Sequence, residues 1–346
     1  MNNRPPVYDA LHEFSKPFWS AVKHAGWFNQ AMFDLAPLPP ESFAASAGSL
    51  LAFFPYCVTT DGETNDIERA TIIPCEAFQH LLRHGSVDIA RVIGNPNGED
   101  EGEELEIDII ATDASLALVI RVNNVFLIGV RGTSYMYEWL SNLCALKLQE
   151  AKGEYHRGFW VETKKLELEI CKFFKTKFNG KKERSKCVVY LSGHSLGGAI
   201  ASLLDPCAIG LSPCSIKGTF VYGAPRTLSK TSWYPSGLPV QARDLQLDII
   251  PHLPPLFAGY RNHKHLVERR LYPRGKLMEL WISLRWKQWL RKNAKVKSNH
   301  IIEKYMFMEY LAIQCSTIPA SSPYSCDQGY LEFPFGRYRE FFDFVE

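Results

Sequence analysis

The sequence predicts an α/β fold in which a mainly parallel central sheet is flanked by helices. From residue 115 onward, short apolar runs typical of buried strands alternate with segments of helical periodicity. A glycine-rich turn at 193–198 joins one of these strands to the next helix. Alternating strands and helices favour parallel pairing, because a parallel connection needs a crossover that a helix supplies.

The elements of this pattern are placed by their periodicity. Apolar runs at 116–122 and 125–130 predict two strands, and Asn123-Asn124 between them suits a tight hairpin turn. Apolar residues at helical spacing predict a helix over 158–178, whereas the acidic stretch 95–108 is expected to be a solvated loop. The remaining predictions are a helix over 41–54, strands over 187–191, 219–222 and 240–242, and an alternating, strand-like segment over 259–267.

The composition fits one large folded unit. The chain has 346 residues, of which 46% are hydrophobic and 22% charged, and its formal net charge is +2. These values allow a large core, exclude a disordered chain and give no basis for bulk nucleic-acid binding. Because no internal repeat or long linker is present, residues 1–346 are expected to form a single domain, with segment 1–40 wrapping around it.

Two features bear on cellular location. The nine cysteines include no C-x-x-C pair, and residues 1–6 show no basic and apolar leader. We therefore expect reduced thiols and a cytoplasmic or peripheral membrane protein, with secretion by another route left open. The longest uncharged run, Ser42–Thr60, contains several polar residues, so we expect a buried helix ending near Pro55 rather than a membrane span.

The strongest local signal is the G-x-S-x-G motif centred on Ser195. It follows the apolar run Val188–Leu191 and precedes Gly198–Ala201, which is the strand-to-helix context of a nucleophile elbow. Gly193 and Gly197 stand where side chains would collide in so sharp a turn. The turn is expected to lift the Ser195 hydroxyl above the sheet edge, beside the N–H groups of the helix N-terminus.

Further segments accompany this motif in the order found in one known family. They are Val130–Thr133, Tyr137–Leu143, His156–Phe159, Tyr222–Arg226 and Asp248–Pro255. Together with the elbow, they resemble the class 3 lipases, the family of filamentous-fungal triacylglycerol lipases and related plant and bacterial enzymes. The resemblance covers roughly residues 115–305. It implies an α/β-hydrolase-type fold with a helical lid and the hydrolysis of carboxylic esters, without a metal or organic cofactor.

A serine nucleophile needs a base, and the base needs an acid that orients it. In α/β hydrolases these partners follow the serine in the order acid, then histidine. Asp205 lies too near Ser195 in the chain, and Asp244 precedes a predicted strand end. Asp248 matches the family's catalytic acid in the resemblance and is the expected orienting residue.

Several histidines follow Asp248. His300 lies in Ser298–Tyr305, which resembles the family's histidine segment, so we expect His300 to be the base. His263 and His265 remain alternatives, whereas His252 is expected to face away from the acid. The oxyanion of the intermediate is expected to be bound by the backbone N–H of Leu196 and, by resemblance, by Thr133.

Apolar side chains after the strand end predict an amphipathic helix within a candidate lid at 134–146. They are Tyr135, Met136, Trp139, Leu140 and Leu143, of which Tyr135, Trp139 and Leu140 are the candidate substrate-binding residues. Such a helix can cover a site in water and open at a lipid surface, although an ordinary core helix has the same pattern. The lid hypothesis implies a rise in rate above the substrate's solubility limit.

The segment 271–297 is basic and rich in tryptophan. It carries eight lysines and arginines against the single acid Glu279, with Trp281, Trp286 and Trp289 interleaved. This pattern is typical of peripheral contact with an anionic membrane, but a helix packed on the domain with a solvated basic face explains it equally well.

Three functional hypotheses follow. The first is a lipase that cleaves acylglycerols or similar lipid esters through an acyl-enzyme. The second is a phospholipase of A type, which suits the basic segment, and the third is a non-catalytic lipase-like scaffold. Acyl transfer to an alcohol would use the same three residues as hydrolysis.

On the membrane hypothesis, neutralising four basic residues of segment 271–297 is expected to abolish binding to anionic vesicles, because each cation near an anionic surface contributes about 1 kcal/mol. The residues are Arg285, Lys287, Arg291 and Lys292, each changed to Gln. Co-sedimentation with phosphatidylserine-containing vesicles measures the effect. Unchanged binding would leave the packed helix as the explanation.

Overall fold

The computed structural model describes the central part of the chain and a few residues outside it. The described residues are 48–49, 51–59, 71–72, 105–112, 114–132, 146–150, 153–178, 180–207, 214–229, 240–245, 248, 250–261, 265–269 and 305.

The elements of this part are numbered in chain order. The strands are β1 (Val58–Thr59), β2 (Thr71–Ile72), β3 (Leu105–Ala111), β4 (Leu116–Val122), β5 (Val125–Val130), β6 (Lys147–Glu150), β7 (Gly153–His156), β8 (Val188–His194), β9 (Ser215–Tyr222), β10 (Leu228–Ser229), β11 (Val240–Leu245), β12 (Tyr260–Arg261) and β13 (His265–Arg269). The helices are α1 (Arg157–Lys177), α2 (Lys181–Arg184) and α3 (Leu196–Cys207), with 3-10 turns at Phe54–Cys57, Ile250–His252 and Leu256–Ala258.

Seven strands form the central sheet, in the order β13-β11-β9-β8-β5-β4-β3. The pairs from β13 to β5 are parallel, whereas β5, β4 and β3 form an antiparallel edge. Asn123, at φ 54°, lies in the two-residue turn of the predicted β4–β5 hairpin. The prediction of a mainly parallel α/β sheet is confirmed, and β8 lies at its centre with two or more strands on each side.

A smaller antiparallel sheet, β12-β10-β7-β6, was not predicted. The strand-like segment 259–267 is in fact divided between the two sheets. Tyr260–Arg261 pairs with β10, and His265–Arg269 pairs with β11. Alternation of apolar and polar residues indicates an extended backbone, but it does not say which neighbour the backbone will pair with.

The helices α1 and α3 pack against each other and against strands of the central sheet. Every residue from 196 to 204 of α3 is buried, and α3 packs against β8, β9 and α1. A helix that is apolar on all sides belongs between two other layers. The α1 helix begins at a buried cap, because the His156 side chain accepts a hydrogen bond from the Phe159 N–H at 3.4 Å. Burial lowers the pKa of His156 to about 4, so the ring is neutral at pH 7.

The segment before β1 lies against the central sheet. Residues 48–49 and 51–53 are helical, and the chain then continues into the 3-10 turn Phe54–Cys57. The α-helical residues thus end at Phe53, near Pro55 as predicted, and Pro55 lies at the start of the 3-10 turn, where proline is tolerated. Ser192 ties this segment to the sheet, since its hydroxyl donates to the Gly48 carbonyl at 2.7 Å.

The prediction of a loop over the acidic stretch 95–108 is wrong for residues 105–108, and residues 95–104 lie outside the described residues. Residues 105–108 belong to β3, where Glu106 lies 2.6 Å from Lys177 on α1 and 3.5 Å from Arg121 on β4. The hydrogen bond from Lys177 holds the pKa of Glu106 below its usual value. In β3, acidic residues alternate with apolar ones, which is the pattern of an edge strand. A high density of acidic residues therefore does not by itself indicate a loop.

Some predictions concern parts of the chain outside the described residues. These are the wrapping segment 1–40, the lid at 134–146 except for residue 146, and the basic segment 271–297. Across the residues that the structure does describe, no helix has the length and apolar character needed to cross a membrane.

Replacing Gly129 by alanine is expected to destabilise the protein by about 3 kcal/mol, the upper part of the range for overpacking. A Cβ atom there would lie 2.3 Å from the Leu51 carbonyl oxygen and 2.9 Å from Pro55 Cγ. Gly180→Ala is the matched control, because a Cβ at Gly180 meets nothing within 4 Å. Urea unfolding of both variants measures the difference, and equal stabilities would contradict the packing of this segment on β5.

Candidate active site

The candidate site is built around the turn between β8 and α3. Ser195 occupies this turn with φ 60°, a left-handed conformation that a non-glycine residue adopts at a cost of about 1–3 kcal/mol. Two backbone hydrogen bonds hold it there, from Ser195 N–H to the Tyr222 carbonyl at 2.9 Å and from Ala199 N–H to the Ser195 carbonyl at 3.0 Å. The strand, turn and helix that the motif requires are all present.

Two glycines make this turn sterically possible. A Cβ on Gly193 would lie 2.4 Å from the Gly197 carbonyl carbon, and a Cβ on Gly197 would lie 2.1 Å from the Val130 carbonyl oxygen. Both neighbours are backbone atoms that cannot rotate away. The G-x-S-x-G spacing therefore lets α3 start directly against the end of β5.

The end of β5 passes beside the serine. A Cβ placed on Gly132 would lie 3.1 Å from the Ser195 Cβ and 2.8 Å from the His194 carbonyl oxygen. The preceding residue, Arg131, donates from Nη1 to the Val58 carbonyl at 3.0 Å. Burial lowers the pKa of Arg131, and a charge interaction with Tyr56 opposes that shift. The end of β5 and Ser195 are thus within van der Waals reach of each other.

Leu196 is the first residue of α3 and is buried next to Ser195. The first N–H groups of an α-helix have no carbonyl partner within the helix, and they carry the positive end of its dipole. This is the position from which the predicted Leu196 donor would act. Thr133, the other predicted donor, lies outside the described residues, as do Tyr135, Trp139 and Leu140.

Asp248 is fully buried after the end of β11. Its Oδ1 accepts a hydrogen bond from the Ile250 N–H at 2.9 Å, and its Oδ2 accepts one from the Tyr305 hydroxyl at 2.6 Å. The competing Asp244 is buried within β11, and Asp205 lies in α3. Asp248 is thus a carboxylate with both oxygens fixed.

Tyr305 brings this carboxylate into the neighbourhood of the elbow. Its ring centroid lies 5.7 Å from that of His194 and 6.1 Å from that of Tyr222. His194 precedes Ser195, and Tyr222 supplies the carbonyl that accepts the Ser195 N–H. Tyr305 therefore contacts Asp248 on one side, and on the other it lies near His194 and Tyr222, the two neighbours of Ser195.

A buried arginine fixes the loop that follows Asp248. Arg226 donates from Nη1 to the carbonyl oxygens of His252 and Pro254, the latter at 2.9 Å. Its backbone N–H also donates to the Leu253 carbonyl at 2.6 Å. One terminal guanidinium nitrogen, which carries two N–H groups, thus satisfies two loop carbonyls.

The predicted base, His300, lies outside the described residues, and so does the alternative His263. The backbone of the alternative His265 begins β13, where strand register places it level with Ser192 on β8. Three strand spacings separate β13 from β8, which corresponds to about 14 Å.

Three residues at this site were not predicted from the sequence: Tyr56, Arg226 and Tyr305. A weak signal existed for two of them. Arg226 ends the family-like segment Tyr222–Arg226, and Tyr305 ends the segment that contains His300. Nothing in the run Ser42–Thr60 marked Tyr56. Among the described residues, no group of three or more His, Cys, Asp or Glu side chains is arranged to hold a metal ion.

The central sheet, with Ser195 at the strand-to-helix turn between β8 and α3, defines a hydrolase-type α/β fold. Residues 127–258 match the family model described as lipase (class 3). The resemblance seen in the sequence, and with it the α/β-hydrolase-type fold, is confirmed over this segment, which contains Ser195 and Asp248 and ends before His300.

Solved structures of fungal lipases are also similar to this chain. The lipase of Rhizopus microsporus var. chinensis is 17% identical, with 69% of this chain and 77% of that chain covered and a TM-score of 0.44. Lipase II of Rhizopus niveus is 19% identical, with 67% and 80% covered and a TM-score of 0.46. The triacylglyceride lipase of Rhizomucor miehei is 22% identical, with 68% and 82% covered and a TM-score of 0.44. No curated protein matches the chain.

Replacing Arg226 by methionine is expected to destabilise the fold by about 2–4 kcal/mol, because the loop carbonyls lose a charged donor while staying buried. Arg157→Met is the matched control, since Arg157 is exposed at the start of α1. Thermal and urea unfolding of both variants measure the effect. A loss no larger than that of the control would show that the loop does not depend on the guanidinium.

Proposed function

We propose that this protein is a serine ester hydrolase of the lipase kind, acting on acylglycerols or similar lipid esters. The observation that carries the proposal is the conformation of Ser195, held at φ 60° between a buried strand and a helix with the Gly132 backbone beside it. Strain of this kind persists where the surrounding structure enforces it, which is typical of a nucleophile elbow. The class 3 lipase match over residues 127–258 supports a carboxylic ester as the substrate.

In the proposed reaction, the Ser195 Oγ attacks the ester carbonyl carbon while His300 takes the hydroxyl proton. The oxyanion that forms accepts hydrogen bonds from the N–H groups of Leu196 and Thr133. Collapse of this intermediate breaks the bond to the alcohol, which leaves with the proton from His300. Water, deprotonated by His300, then releases the acid from the acyl-enzyme and restores Ser195.

The surroundings of Asp248 support its role as the orienting acid. Its Oδ1 accepts a hydrogen bond from the Ile250 N–H, and its Oδ2 accepts one from the Tyr305 hydroxyl. An orienting acid needs a fixed carboxylate, because the position of the carboxylate determines the orientation of the histidine ring that bonds to it.

Chain connectivity supports His300 as the base. It precedes Tyr305 by five residues, which is a span of about 7.5 Å in a helix and at most ~18 Å when extended. Because the Tyr305 hydroxyl is bonded to Asp248, this short chain distance supports His300 as the histidine that pairs with the acid. The backbone of His265 begins β13, three strand spacings from the strand that leads to Ser195.

Changing Ser195 to alanine is expected to lower the hydrolysis of p-nitrophenyl esters by at least about 10³-fold, because the reaction loses its nucleophile. Ser202→Ala is the matched control. Ser202 is also a buried serine on the elbow helix, but its hydroxyl donates to the Ala199 carbonyl within that helix. Rates are measured from acetate to palmitate, and a preference for longer chains would favour a lipid substrate.

A fluorophosphonate probe provides the second measurement. Covalent labelling of the native chain and of Ser202→Ala, but not of Ser195→Ala, is expected. Absence of labelling and of hydrolysis in the native chain, with vesicles present to open any lid, would contradict the proposal and favour the scaffold hypothesis.

A further inference from the structure

Tyr56 lies outside the motifs described so far, yet its hydroxyl makes two hydrogen bonds at the elbow. It accepts from the Gly132 N–H at 3.2 Å and bonds to the His194 Nδ1 at 2.9 Å. A backbone N–H can only donate, so the hydroxyl proton remains available to an unprotonated Nδ1. One phenol oxygen therefore joins the end of β5 to the residue that precedes the nucleophile.

The contact falls where the backbone is most crowded. A Cβ on Gly132 would lie 2.6 Å from the Tyr56 hydroxyl oxygen, 2.8 Å from the His194 carbonyl oxygen and 3.1 Å from the Ser195 Cβ. Glycine is the only residue without an atom in that space. Gly132 therefore lies in contact with both the Tyr56 hydroxyl and Ser195.

Tyr56 is itself held firmly. It lies in the 3-10 turn Phe54–Cys57, and the Val58 carbonyl just after this turn accepts from the Arg131 guanidinium at 3.0 Å. Before it, Pro55 packs against Gly129 of β5. The turn is thus attached to β5 on both sides of Tyr56, so its hydroxyl has a fixed position from which to hold the strand end.

We propose that Tyr56 is a positioning residue for the oxyanion site. Its hydroxyl fixes Gly132, and through Gly132 it sets the distance between Ser195 and the donor at Thr133 that follows. The inference rests on the proposed ester hydrolysis. Tyr56 touches neither the substrate nor the reacting atoms in this scheme and acts through the backbone of its neighbour.

This role affects the transition state more than the bound ester. Oxyanion donors contribute where negative charge develops, and a displacement of the strand end weakens that contribution most. Loss of the hydroxyl is therefore expected to lower kcat and to leave KM nearly unchanged. A boronic acid reports the same geometry without turnover, because the Ser195 oxygen adds to boron and the tetrahedral adduct points an oxygen at the oxyanion donors.

The test compares Tyr56→Phe with Tyr190→Phe, a half-buried tyrosine on β8 that lies before the elbow. Active sites are first titrated with a fluorophosphonate, so that each rate is expressed per active site and misfolded protein does not lower the measured kcat. For Tyr56→Phe we expect kcat to fall about tenfold or more, the inhibition constant of an alkyl boronic acid to rise by a similar factor, and KM to change less than twofold. Tyr190→Phe should match the native chain in all three.

A second pair of variants tests the other end of the bridge. His194→Asn keeps a polar atom near the position of Nδ1, whereas His194→Leu does not. The leucine variant is expected to reproduce the kcat loss of Tyr56→Phe, with the asparagine variant closer to native. If Tyr56→Phe does not fold, the kcat values of these two variants still test whether the hydrogen bond between Tyr56 and His194 contributes to catalysis.

Several outcomes would overturn the role of Tyr56. One is an active native enzyme whose kcat and boronate affinity per titrated site are unchanged in Tyr56→Phe. Another is a loss that appears in KM alone. If the native chain neither hydrolyses esters nor reacts with the fluorophosphonate, the proposed function itself fails and the Tyr56 role fails with it.

Discussion

The contact between the start of α3 and the end of β5 is the constraint on which the rest of the site depends. At this point two backbones meet with no side chain between them, since a Cβ on Gly197 would lie 2.1 Å from the Val130 carbonyl oxygen. Close packing of this kind fixes the position of α3 relative to the sheet. That position places Ser195 in its left-handed conformation and brings the helix N-terminus to the edge where β5 ends. Every other site residue is arranged around a serine already fixed by this contact.

Around this contact, polar groups are held mainly by backbone partners. The Asp248 carboxylate accepts from a backbone N–H, and the Arg226 guanidinium donates to two loop carbonyls. Two phenol hydroxyls, of Tyr56 and Tyr305, complete the arrangement from elements distant in sequence. Tyrosine suits this use, because its ring packs among apolar neighbours while its hydroxyl satisfies a buried polar group. Backbone partners thus fix most of these groups, and the two tyrosine hydroxyls link Asp248 and His194 to the rest of the fold.

The sequence predicted the central sheet and the elbow because both depend on local patterns. A buried strand such as β8 is a continuous apolar run, and the turn at Ser195 needs glycines at fixed offsets. The small antiparallel sheet was missed because β10 and β12 have two residues each, too few to show a period. Tyr56 and Arg226 were missed for a related reason. Their partners are distant in the sequence. No local sequence pattern around a tyrosine or an arginine at a strand end or in a turn indicates which distant residue it will contact.

The long sequence separations at the site have a consequence for folding. The Tyr56 hydroxyl bonds across 138 positions to His194 and across 76 positions to Gly132, and Tyr305 bonds across 57 positions to Asp248. Contacts of this range require the long loops between them to close. Loop closure costs conformational entropy, and folding is slower where many contacts carry that cost. A nascent chain that has completed β8 and α3 therefore has the serine turn in place before the residues that hold Asp248 have been synthesised. The hydrogen bond between Tyr305 and Asp248 is in this sense formed late, after the turn at Ser195.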